Sequence, residues 1–271
     1  MYDYHIHERH SGDASAEIRE YVAVAEERGI IEIAFTTHLI TIGPDVEISI
    51  RPQDISEYIN EIEKAQKGTN VHLLTGLEVD FFPKEERNID RILSEHDLDF
   101  VLGSTHYVNG VDLGHPARAK EFFSSRPLSE GVDEYYRVWR QAVESGLFDV
   151  MAHPDYWKIF VHLFRNPPMW SEFGDVVYSA LDALKKHNVG IEVNTSGVRH
   201  GVGDFFPMQE FLIAARAAGV NTVTIGSDSH GTDTLGYGWR EAVMRLKLAG
   251  FYEFSRFKRH RNSRTPLTYL A

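Results

Sequence analysis

The sequence predicts an α/β protein whose strand–helix units close into one barrel, and three observations carry that expectation. Seven short apolar segments, each followed by a helical pattern, recur along 271 residues; such alternation makes a parallel sheet. No composition break, low-complexity linker or short repeat divides the chain, and barrels of about 250 residues are single domains. Polar residues able to do chemistry gather at the C-terminal ends of the segments, the rim where barrels keep their sites. One domain over residues 1–271 is expected.

The strand segments are DYHIH (3–7), IEIAFTTH (31–38), HLLTGLEVDF (72–81), FVLGSTHY (100–107), FDVMAHPD (148–155), VGIEVNTSG (189–197) and TVTIGSDSH (222–230). Most are rich in Val, Ile, Leu and Phe, as strands buried on both faces require. After the first, Ile18, Tyr21, Val22 and Ala25 keep helical spacing until Gly29. In the second unit Pro52 suits a first turn, Ile55, Tyr58, Ile59 and Ile62 form the apolar stripe, and Gly68 ends it. Further helices are expected near 86–95, 129–145, 172–187, 207–218 and 238–249, with Gly146, Gly219 and Gly250 just beyond three of them. Two connections are long, 108–128 and 156–171; the second carries YWKIFVHLFRNPPMW. Long loops at one rim act as lids or binding loops, or are packed surface excursions.

Bulk composition narrows the function. With 42% apolar and 25% charged residues the chain is ordinary globular material. Its net charge of −12 counts against nonspecific binding to nucleic acid or anionic membrane. There is no cysteine, so disulfides and thiolate metal sites are excluded. The start MYDYHIHERH lacks the basic and apolar regions of a signal peptide. No apolar run approaches the roughly 18 residues of a membrane span, so a soluble cytoplasmic protein is expected. The basic stretch FSRFKRHRNSR (254–264) reads as a solvated terminal face.

The strand ends carry the chemistry. The first ends in His5 and His7, the second in His38, the third carries Glu78, the fourth ends in His106, the fifth in His153, and the seventh in Asp228 and His230. Only the sixth, ending Asn194-Thr195-Ser196, lacks an obvious ligand. Brought together in a low-dielectric cup without a cation, these groups would repel or lie unsatisfied at a cost of several kcal/mol. Divalent cations resolve the conflict, because neutral imidazole and carboxylate are good ligands for Zn, Mn or Fe. The remaining histidines read as surface or loop positions, with His10, His115, His162 and His200 in loops that border the rim.

The ordered fragments DYHIH, SGDA, TTHL, GLEVD, GSTHY, AHPD and GSDSH resemble the polymerase-and-histidinol-phosphatase (PHP) family of metal-dependent phosphoesterases over nearly the whole chain. The resemblance implies a distorted (β/α)7, TIM-like barrel with two to three divalent metal ions. It implies that His5, His7, Glu78 and Asp228 hold the first metal, and that Glu78 bridges to a second completed by His106 and His153. Asp13, His38 and His230 would hold a third; by pattern alone HSGD is a turn with a helix cap. Within the family the chain most resembles the histidinol-phosphate phosphatases, through its length, the absence of a fused polymerase, AHPDYWK and NTSGVRHG. That implies a small phosphorylated substrate, L-histidinol phosphate, and no nucleic-acid or membrane partner. Lys158, where an arginine is expected, and the altered 156–171 loop are departures.

The reaction this implies is phosphomonoester hydrolysis, with the cations acidifying a water. Arg199, just past the sixth strand, is the candidate clamp on phosphoryl oxygens, with Lys158 as a second candidate. Asp228 or a water would protonate the leaving alkoxide. Three rival readings stay open: another small phosphomonoester or nucleotide as substrate, a metal-storage or regulatory module, and a metal-dependent amidohydrolase. The last would want a lysine or modified ligand on a middle strand. No dinucleotide fingerprint is present, since GVG at 201–203 lacks the third glycine.

Overall fold

The computed structural model describes residues 1–166 and 168–267. Seven parallel strands form the sheet: β1 (Tyr2–Ile6), β2 (Glu32–Leu39), β3 (His72–Asp80), β4 (Phe100–Ser104), β7 (Val150–Met151), β8 (Gly190–Asn194) and β9 (Val223–Gly226), paired in that order. A small hairpin of β5 (Tyr107–Val108) and β6 (Val111–Asp112) interrupts the alternation after β4. The two edges of the sheet meet. Ile6 bridges Ser229 in parallel, and the His7 N–H donates to the Ser229 carbonyl at 2.8 Å. The Asp3 carboxylate locks the same seam by accepting from Ser227 N–H and Gly236 N–H at 2.9 and 2.7 Å. The result is a nearly closed (β/α)7 barrel.

The helices follow from apolar stripes at helical spacing. They are α1 (Ile18–Glu27), α2 (Ile55–Gln66), α3 (Glu86–Ser94), α4 (Pro116–Ser124), α5 (Leu128–Ser145), α6 (Gly174–His187), α7 (Ser196–Arg199), α8 (Gln209–Ala218) and α9 (Trp239–Leu248). α5 buries Val132, Tyr135, Tyr136, Trp139, Ala142 and Val143, an i, i+3, i+4, i+7 stripe. It stops where Gly146 turns left-handed at φ 74°. Each such large side chain contributes about 1.5–3 kcal/mol on burial, so this face alone holds the helix to the sheet. All eight residues of β2 are buried, because helices cover the outside of the barrel and packed side chains fill its inside. Among the described residues no helix is long and apolar enough to cross a membrane.

Three stretches differ from the expectation. The 108–128 connection contains α4, whose Phe122 and Phe123 are buried. The 156–171 loop runs through short 3-10 turns and is anchored by fully buried Trp157, which packs on Phe123 and Phe173 at 5.9 and 5.0 Å. The basic terminal stretch keeps residues 258–264 exposed, as expected, but is also ordered and partly buried. It forms an antiparallel hairpin, β10 (Glu253–Lys258) with β11 (Arg261–Pro266). Buried Phe254 and Phe257 of β10 pack on Tyr4 at 5.0 and 6.5 Å, and Arg256 pairs with buried Glu32. The flanking charges hid two apolar residues that close the bottom of the barrel.

Candidate metal centre

Register and strand length place the cluster. In the β2–β3 ladder His38 stands directly beside Glu78, and His5 and His7, two residues apart on one strand, share a direction. Glu78 is the hub. Its Oε2 lies 3.2 Å from His5 Nε2, 3.0 Å from His38 Nδ1 and 3.5 Å from His7 Nε2. Its Oε1 lies 2.8 Å from His153 Nε2 and 3.6 Å from His106 Nε2. Asp228 Oδ1 approaches His7, His5 and His230 at 3.3, 3.6 and 3.7 Å. Asp13 Oδ2 reaches His230 at 3.2 Å and His38 at 3.5 Å. The nine residues singled out as ligands thus lie in one cup.

Among the described residues, four sets of three have donor atoms close enough to share a cation: His5, His7 and Glu78; Glu78, His106 and His153; His5, His153 and Asp228; and His7, His38 and His230. The donor chemistry fits. His5 faces the Glu192 carboxylate through Nδ1 at 2.8 Å, and His106 faces Asp80 through Nδ1 at 3.0 Å. A carboxylate partner holds a proton on Nδ1, so that Nε2 is the nitrogen left to a cation when one displaces its proton. Those Nε2 atoms point at other imidazole nitrogens, His5 at His7 (3.0 Å) and His106 at His153 (3.3 Å). Buried His153 Nδ1 has no hydrogen-bond partner, and His38 Nδ1 faces only Glu78 Oε2, at 3.0 Å. Lone pairs and carboxylate oxygens converging in a buried cup suit a cation.

A PHP domain profile matches residues 3–196, well over half of the chain. The chain belongs to the PHP domain family. A probable histidinol-phosphatase of Deinococcus radiodurans is 30% identical over 253 residues, covering 92% of this chain and 93% of the relative. The histidinol-phosphatase of Lactococcus lactis is 24% identical over 258 residues, covering 94% and 93%. The crystal structure of the histidinol phosphate phosphatase from Lactococcus lactis, complexed with zinc, L-histidinol and phosphate, superposes with a TM-score of 0.83 at 23% identity. It covers 97% of this chain and 98% of its own, and the likeness establishes the PHP barrel.

Electrostatics in this PHP cup follow from crowding. Burial alone would raise the Glu78 carboxyl, but the charge on His5 and the bonds from His153 and His38 hold it well below the usual range. Asp228 behaves alike, burial opposed by His5, His7 and His230, so it stays ionised. Burial pulls His38 down while Asp13 and Glu78 push it up to about 10; His106 is likewise pushed up to about 9, chiefly by Asp80. His7 falls well below its ordinary value through burial and the neighbouring His38 and His230 charges. Two of the candidate ligands also hold left-handed backbone, His153 at φ 27° and Asp228 at φ 55°, a conformation that clusters at functional sites.

The two cationic candidates separate. Arg199 Nη2 donates to the carbonyls of Ser227 and Asp228 at 2.7 and 2.9 Å, its guanidinium lies 5.3 Å from the Tyr237 ring centre, and its buried Nη1 has no hydrogen-bond partner. Lys158 does not match its expected role as a phosphate grip. It is buried, with Nζ 2.7 Å from Asp155 Oδ2 and donating to the Phe205 carbonyl at 2.8 Å. Its charge is neutralised inside the wall.

Sequence reasoning passed over the residues that aim the ligands. Asp80 takes both the ring and the backbone N–H of His106, the latter at 3.2 Å. Ser11 Oγ contacts His7 Nδ1 at 3.3 Å. Tyr156, from the long loop, roofs His106 and His153 at 4.6 and 4.8 Å. A signal existed for Glu192: a carboxylate within the apolar run VGIEVN must find a buried partner.

Proposed function

We propose that this protein is a histidinol-phosphate phosphatase, a phosphoric monoester hydrolase that converts L-histidinol phosphate and water to L-histidinol and phosphate in histidine biosynthesis. One observation carries the reading: five imidazoles from the ends of four barrel strands converge on Glu78, in a chain with histidinol-phosphatases among its relatives over nine-tenths of its length. Two to three divalent cations, Zn, Mn or Fe, would be held by His5, His7, Asp13, His38, Glu78, His106, His153, Asp228 and His230. A cytoplasmic setting suits such a biosynthetic step.

Bound there, divalent cations would supply an acidified water and charge neutralisation for phosphoryl oxygens. The chain's own groups do the rest. Asp80 and Glu192 fix the imidazole tautomers so that lone pairs face the cup. Asp228, kept ionised, serves as a ligand. Arg199, fixed by two carbonyls through Nη2, offers Nη1 to a phosphoryl oxygen. Tyr156 covers the imidazoles and limits water.

The test is turnover of histidinol phosphate, p-nitrophenyl phosphate and mononucleotides by one preparation of known metal content. A preference for histidinol phosphate in kcat/KM of at least tenfold supports the reading. Equal turnover of all three would shift it to a general small phosphomonoesterase, and no turnover by a metallated protein would overturn it.

A further inference from the structure

β8 supplies no candidate ligand, yet its inward side chains contact ligands from three other strands. Glu192 and Asn194 stand two residues apart, point the same way and are fully buried. Glu192 Oε1 accepts from His5 Nδ1 at 2.8 Å, while its Oε2 accepts the His153 backbone N–H at 2.9 Å and Asn194 Nδ2 at 3.1 Å. Asn194 Nδ2 also lies 3.3 Å from Asp228 Oδ2, and Ser196 Oγ donates to that same oxygen at 3.1 Å. One carboxylate therefore grips a ring on the first strand with one oxygen and the backbone after the fifth strand with the other.

Two independent features show that the contact is built in. Gly226 pairs with Asn194 across β8 and β9. A Cβ there would lie 1.9 Å from Glu192 Oε1 and 2.5 Å from His5 Cβ, so only glycine leaves room for Glu192 to reach His5. In addition, the left-handed backbone of His153 is held by the Glu192 bond, and that of Asp228 by Arg199 on its carbonyl.

We propose that Glu192 is a positioning residue that couples the two cation sites sharing Glu78. The inference rests on the metal-centre reading above. His5 belongs to one set with His7 and Glu78, and His153 to the other with His106 and Glu78. Occupying the first fixes His5, which fixes the carboxylate and with it the backbone of His153. The second ion then meets a prearranged ligand. Residues that orient ligands in this way are worth about 10–100-fold in metal affinity.

The experiment is zinc titration against a competing chelator, with bound metal counted, for wild type, Glu192→Gln and Ser196→Ala. All three groups that Glu192 accepts from are N–H donors, so the amide of Glu192→Gln sets a donor against a donor at one end or the other. Both zinc dissociation constants should rise about 10–100-fold, and the advantage the second ion gains from the first should disappear. Ser196→Ala, which removes one bond to Asp228 only, should weaken a single site. Glu192→Gln that binds both ions like wild type, or loses only one, overturns the coupling. If that variant fails to fold, ¹⁵N spectra of zinc-loaded wild type decide: His5 must carry its proton on Nδ1, and a proton on Nε2 overturns the assignment. Wild type that binds no zinc would remove the metal reading and this inference together.

Discussion

Replacing Glu78 by Gln isolates the hub of the cup. The carboxylate is 1% exposed and lies within 3.6 Å of nitrogens from five histidines. Gln keeps the shape, removes the negative charge and turns one acceptor oxygen into a donor. Whichever way the amide turns, one of the two sets that share Glu78 loses its oxygen and the other keeps a neutral carbonyl in place of a carboxylate. Zinc held by four protein ligands binds with about 10–16 kcal/mol, or about 2.5–4 kcal/mol per ligand. At about 1.4 kcal/mol per tenfold, the dissociation constant of the set that loses its oxygen should rise roughly 10²–10³-fold. Chelator-competition titration with metal counting reads that change directly, and phosphate release on the same samples reads activity. Content and turnover should fall together and recover together with excess metal. A Glu78→Gln protein that keeps two tightly bound ions and wild-type turnover would refute the hub assignment.

Lys158→Met should act on stability rather than catalysis, because it strands buried Asp155 without its partner; a loss of about 3–5 kcal/mol in denaturant unfolding is expected, with kcat/KM per folded molecule nearly unchanged. Arg199→Lys keeps the charge but loses the fork on Ser227 and Asp228, so kcat should drop at least tenfold while zinc content falls little; unchanged kcat would remove Arg199 from the site. For pH, His38 and His106 sit at about 10 and about 9, above their ordinary 6.5. Raised values stabilise the cation-free fold fully below pH 6.5, and that contribution is lost as pH rises through 9 to 10. Melting of the chelated protein should therefore fall over that window, whereas zinc-loaded protein, whose imidazoles hold cations in place of protons, should change little.

How much of this was legible in the sequence depends on whether a feature is local to one strand. The barrel was, because DYHIH, IEIAFTTH and their successors each announce a buried strand through their own apolar residues. Most residues that meet in the cup were, because a histidine or glutamate at the end of such a strand stands out against it. Asp13 was not a local signal; in HSGD it looks like a turn cap, and only the ordered family resemblance pointed to it. The terminal hairpin was hidden because Arg256, Lys258 and Arg261 dominate its composition, while the two phenylalanines that seal the barrel are spaced irregularly.

What the sequence withheld is pairwise. Asp80 lies two residues from Glu78 and shares its face, yet nothing in GLEVD says that one carboxylate joins the cup while the other aims His106. Lys158 fails for the same reason: Asp155, three residues earlier, captures its ammonium before any phosphate can. Glu192 shows the rule most clearly. Its partners lie 187 and 39 residues away, and the space it needs is supplied by Gly226 on a third segment. The kind of ligand is written within a strand, whereas its direction is set between strands. The orienting residues are therefore where a PHP cup with the same ligands could still differ in affinity, and where substitutions far along the chain would be felt at the cations.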